Sequence, residues 1–134
     1  MNQIGKMVSD LLDRSEEFKK KGLLLEKEDL FERLLLRDKM KEEAGKLRQQ
    51  FIIDKLEMDK DKACKVIEYK AVTDDKGKGL TEKIIEANIK QDFYDKEIEL
   101  ATLKAMADLL YERAESIIDF VNIVKIELKS KIEL

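Results

Sequence analysis

Apolar residues recur along this chain at helical spacing. Between positions 3 and 21, Ile4, Met7, Val8, Leu11, Leu12 and Phe18 share one face of a 3.6-residue repeat. Lys19-Lys20-Lys21 followed by Gly22 reads as the end of that helix. Cations suit the negative pole of the helix dipole, and glycine accepts the left-handed cap. From 23 to about 71 the pattern predicts one long helix, with Leu30, Leu34, Met40, Ala44, Leu47 and Phe51 at mostly three- and four-residue steps. The stripe then slips by about one position to Ile52, Leu56, Ala63 and Val66. Gly45 inside this run weakens it by about 1 kcal/mol relative to alanine and marks a place for a bend.

Residues 72–80 hold the one convincing loop, Thr73-Asp74-Asp75-Lys76-Gly77-Lys78-Gly79, a cluster of turn formers that ends the periodicity. Thr81 then reads as the N-cap of a last helix over 81–132, with Glu82 in its first turn. Leu80 and Ile85 stand where a hydrophobic staple would place them. From Phe93 this helix carries a heptad: Phe93, Leu100, Ala107, Ala114, Val121 and Leu128 at one core position, and Lys96, Leu103, Leu110, Ile117, Val124 and Lys131 at the other, apolar in the middle four. Met106, Tyr111, Ile118 and Phe120 flank that seam, and Leu109, Ile123 and Ile126 lie outside it. A helix apolar on nearly all sides must be covered on nearly all sides. The expected architecture is therefore all-α: a long helical hairpin with a shorter N-terminal helix. It forms a single domain over 1–134 that self-associates through a C-terminal seam of Leu100, Leu103, Leu110, Ile117, Val121, Val124 and Leu128.

Composition agrees with this and narrows the chemistry. Charged residues and the hydrophobic set each make up 43% of the 134 residues, with no proline or tryptophan, which is the balance of long amphipathic helices. The chain contains no histidine, so triads and histidine metal sites are excluded. A single cysteine, Cys64, rules out an internal disulfide and fits a reducing cytoplasm, where it reads as a small packing residue. No uncharged span of membrane length is present, and the chain reads as cytoplasmic without membrane association. Net charge is −1 over 1–36, +2 over 37–78 and −4 over 79–134, so the middle is the basic part of an acidic protein.

That basic part supplies the candidate site. Lys60, Lys62, Lys65, Lys70, Lys76 and Lys78, with Tyr69 among them, combine phosphate-neutralising cations with an aromatic that can stack on a base. The competing reading is a solvated helix face interleaved with Asp59, Asp61 and Glu68. A carboxylate site for Mg²⁺, of the kind all-α nucleotide pyrophosphohydrolases use, would draw on Glu112, Glu115 and Asp119 or on Glu26, Glu28 and Asp29. In a chain with 30 acidic residues such spacings arise by chance, and no catalytic residue, metal or cofactor is assigned.

The order of parts resembles the phage recombination-mediator (UvsY-like) family. The similarity runs over roughly residues 55–130: a lysine-rich helix ending near a tyrosine, Lys60 to Tyr69; a short Gly/Lys/Asp loop, Asp74 to Gly79; the opening Glu82-Lys83-Ile84-Ile85, with Asp92 about ten positions on; and a long apolar tail. The resemblance implies a small helical homo-oligomer that binds single-stranded DNA and helps load a RecA-type recombinase onto strands covered by single-strand-binding protein. It carries Lys65, Lys70, Lys76 and Lys78 over as DNA contacts. The expected function is thus a non-enzymatic recombination or replication accessory. The alternative is a small phage- or plasmid-type adaptor or inhibitor that binds a host protein through its helical surface.

Overall fold

The computed structural model describes the backbone of residues 2–21 and 27–133, with side chains described except at 2, 19, 21, 27–29, 118, 120, 121 and 123–133. Four helices form: α1 (Asn2–Lys21), α2 (Lys27–Lys70), α3 (Glu82–Asp92) and α4 (Tyr94–Glu133). No strand is present among the described residues, so the fold is all-α, as the periodicity requires. α2 runs unbroken through Gly45, whose added methyl would meet nothing within 4 Å. Gly22 and the start expected at Leu23 lie outside the described residues.

The chain gathers into two compact units, 1–47 with 105–134 and 48–104, where the pattern alone reads a single domain. In the first unit, Val8 and Leu11 of α1, Leu36, Met40, Ala44 and Leu47 of α2, and Ala107, Leu110, Ala114 and Ile117 of α4 are buried. Each helix turns one apolar face inward, and the alanines of α4 let neighbours approach closely. Arg33 is only 2% exposed in this core. Its guanidinium donates to the Phe18 carbonyl and lies 5.2 Å from the centre of the Phe18 ring. Phe18 sits in the last turn of α1, where carbonyls lack intrahelical donors, so Arg33 satisfies a group that the helix leaves open. The sequence offered three lysines for that end of α1; the structure uses an arginine from the next helix.

In the second unit the chain makes a hairpin: the C-terminal part of α2 turns through 71–81 and returns as α3 and the start of α4. Its core is thin, with Met58, Ile85, Leu100 and Leu103 buried. Thr81 caps α3, its hydroxyl accepting from the Ile84 amide at 3.4 Å; Leu80 is half-buried and Ile85 buried. The last helix, continuous in the sequence reading, is divided at Phe93, with φ −106° and ψ 9°. The Phe93 amide still donates to Ile89 and the Glu97 amide to Phe93, so the division is a local change of course with its ladder kept.

The heptad of α4 is placed differently from the expectation. Leu100, Leu103, Leu110 and Ile117 are at most 7% exposed within a single chain. Four of the seven proposed seam residues are therefore buried within the single chain. Val121, Val124 and Leu128 fall outside the described side chains. The slip of the α2 stripe also has a physical meaning. Met58 continues the inner face, with Phe51, Lys62, Val66 and Tyr69 half-buried along it. Ile52, Leu56, Ala63 and Ile67 form a second, exposed line. Cys64 belongs to the exposed side and packs against no core.

Candidate nucleic-acid interface

The lysine-bearing segment occupies the hairpin of the second unit, and its loop is a built turn. Thr73 and Gly79 form an isolated antiparallel bridge, and the Asp74 amide donates to the Lys78 carbonyl at 2.9 Å. The Asp74 carboxylate accepts from the amides of Lys76 at 2.9 Å and Lys78 at 2.8 Å. Gly77 takes φ 76°, in the left-handed region where a side chain would be strained, and its amide donates to the Asp74 carbonyl at 3.0 Å. One aspartate thus folds the turn and leaves the side chains of Lys76 and Lys78 exposed at its tip.

The six lysines do not form one surface. Lys62 is ion-paired with Glu97, and its ammonium lies 5.8 Å from the centre of the Phe93 ring. The pair holds α2 to α4, and Lys62 holds Glu97 below the ordinary glutamate range. Tyr69, the expected stacking residue, donates its hydroxyl to Asp92, and that hydrogen bond holds its phenol above the usual tyrosine value. Lys65 pairs with Glu68 at 3.2 Å, which raises its pKa. Lys60 is exposed on the far side of α2 from Lys62, at about 160° around the helix by 100° per residue. The sequence placed these cations in one run, but two residues at a spacing of two point to opposite sides of a helix.

A cleft of about 590 Å³ lies between α2, α3 and the start of α4, with Val66, Ile85 and Ile89 as its apolar lining. Its rim carries three cations, Lys62, Lys70 and Lys90, and three carboxylates, Glu82, Glu86 and Glu97. Opposite charges in equal number leave it without preference for an anion. A second hollow of about 510 Å³ is lined by Lys90 and Tyr94, with Ala87, Gln91 and the carboxylate of Asp95. Tyr94 is 61% exposed, and Lys83, Ala87 and Lys90 precede it on α3 at steps of four and three residues. An exposed aromatic beside one lysine, Lys90, is closer to the requirement of base stacking than Tyr69, whose hydroxyl is bound to Asp92. In the sequence Tyr94 adjoins Phe93 at the start of the heptad, and nothing there marks it as exposed.

Among the described residues no group of three acidic or cysteine side chains is close enough to hold a metal ion. Glu115, one of the proposed Mg²⁺ ligands, pairs with Lys41 at 2.8 Å, while Arg113 beside it pairs with Glu16 at 2.6 Å. Glu26 lies outside the described residues. No described helix is long and apolar enough to cross a membrane. No protein-family model matches this chain, and no curated protein or solved structure matches it.

Proposed function

We propose that this chain is a non-enzymatic accessory protein of recombination or replication that binds single-stranded DNA as an oligomer and assists a RecA-type recombinase. The observation that carries the reading is the closed end of the hairpin, where Lys76 and Lys78 stand exposed on a turn folded by Asp74, with Lys70 exposed at the end of α2. Lys65 on α2, and Lys83, Lys90 and Tyr94 on the returning helices, extend the same unit. The resemblance to the recombination mediators rests on this same stretch. Each subunit binds weakly, because acidic residues are interleaved with the lysines. Engagement of several subunits by one strand multiplies the affinity without new contacts.

Fluorescence anisotropy with single-stranded DNA at low and moderate salt, with molecular mass from light scattering on the same sample, tests this. About four lysine–phosphate contacts per subunit correspond to a log–log salt slope of about −3 for a single strand. An oligomer indifferent to DNA at low salt refutes the reading. A second reading then takes over, in which the chain is a small adaptor or inhibitor that holds a host protein. It is favoured by Phe31 and Leu35 of α2, 64% and 53% exposed, which no nucleic-acid contact requires. The proposed contacts to a recombinase and to single-strand-binding protein are checked by strand-exchange rate on strands already covered.

A further inference from the structure

The outer face of α2 in the second unit carries a stripe that the hairpin does not use. Ile52, Leu56 and Ile67 are 58%, 67% and 70% exposed, and Ala63 is exposed between them. Ile52 and Ala63 are eleven residues apart, as are Leu56 and Ile67. An eleven-residue repeat closely matches the natural turn of a helix, so these four stay on one line, within about 30° of its centre at 100° per residue. Such a line is what a helix presents to another helix.

The charges beside the line say which helix it fits. One shoulder carries Lys60, with Glu57 further round; the other carries Asp59, with Lys55 further round, and all four are exposed. Two copies of α2 laid side by side in parallel bring the first shoulder of each against the second shoulder of the other. Lys60 then meets Asp59 one position away in height, and Glu57 lies toward Lys55 two positions away. In the antiparallel arrangement centred on the stripe each shoulder meets itself, and Lys60 faces Lys60 while Asp59 faces Asp59. Charge flanking an apolar line sets helix orientation and partner choice. We infer that the Ile52–Leu56–Ala63–Ile67 stripe is the self-association surface of this protein, pairing in parallel and in register with the same stripe of a second copy. The Asp59–Lys60 layer fixes that register.

The inference rests on the proposal that the chain works as an oligomer, and it moves the contact from the heptad of α4, which the core occupies, to α2. Light scattering and far-ultraviolet circular dichroism on the full chain test it, using three variants. Leu56→Asp falls on an exposed site, so helicity is retained while the mass falls to the 15.7 kDa of one chain. Lys60→Asp alone sets acid against Asp59 of the neighbour and raises the dissociation constant at least tenfold. The double change Asp59→Lys with Lys60→Asp restores it. An unchanged oligomer mass for Leu56→Asp overturns the surface while leaving the oligomeric reading intact. Failure of the double change to rescue overturns the parallel register. A wild-type chain of 15.7 kDa at about 100 µM overturns both the surface and the oligomer.

Discussion

Replacing Leu110 by alanine asks where the heptad of α4 spends its energy. Leu110 is fully buried and lies between Ala107 and Ala114, both also fully buried and each about one turn away on the same face. Truncation removes most of an isobutyl group, and the flanking methyls are too short to fill the space. The loss should therefore fall in the middle to upper part of the range for buried leucines, about 3–4 kcal/mol. Against a total stability of about 5–15 kcal/mol this is a large fraction. With a urea slope of about 1.5–2 kcal/mol/M, the midpoint falls by about 2 M at unchanged slope. The assay is urea unfolding followed by circular dichroism at several protein concentrations, repeated in a Leu56→Asp background. If the heptad is an intramolecular core, the loss is the same in both backgrounds within about 0.5 kcal/mol, since the two sites share no partner. A loss below about 1 kcal/mol, accompanied by a fall in molecular mass, would refute the reasoning and return Leu110 to an intermolecular seam.

Further expectations are each open to one measurement. Charge reversal of Lys70, Lys76 and Lys78 to glutamate should abolish single-stranded DNA binding with helicity unchanged, and Tyr94→Ala should weaken it more than Tyr69→Ala does; anisotropy decides both. Gly45→Ala should stabilise α2 by about 1 kcal/mol, because the site is helical and open, whereas Gly77→Ala should destabilise by about 1 kcal/mol at its positive φ; urea midpoints give both signs. Arg33→Ala should cost about 1.5–3 kcal/mol from the lost hydrogen bond to the Phe18 carbonyl, with a further loss of packing. Glu97 is held below its ordinary range by Lys62, so the stability this pair contributes is present above the unfolded glutamate value and disappears as pH falls through the folded one. Lys62→Met should return the Glu97 carboxyl to its ordinary range in an NMR titration. Tyr69 behaves with the opposite sign: its phenol is raised by Asp92, so the contribution is lost as pH climbs through the folded value, and Asp92→Asn should lower the alkaline step seen by ultraviolet absorbance.

Much of this molecule is legible without coordinates. A 3.6-residue period with no proline leaves helix as the consistent local state, and the loop at 72–80 declares itself through residues that only a turn accommodates. Thr81 and Ile85 mark the start of α3 because capping is a local event, complete within four residues. The absence of histidine removes whole classes of chemistry at once. What periodicity cannot say is which apolar face meets which partner. The heptad of α4 has the same pattern whether its cover comes from α2 of the same chain or from another copy, and tertiary packing assigned Leu100, Leu103, Leu110 and Ile117 to the intramolecular core. α2 carries two apolar lines that diverge after Phe51, and only the fold shows that one is inside and the other exposed. The basic run dissolved for the same reason: Lys62 and Tyr69 found Glu97 and Asp92, each more than twenty residues away. Spacing along a helix fixes the direction of a side chain from its own axis, whereas its neutralisation or exposure depends on segments that only the folded chain brings near.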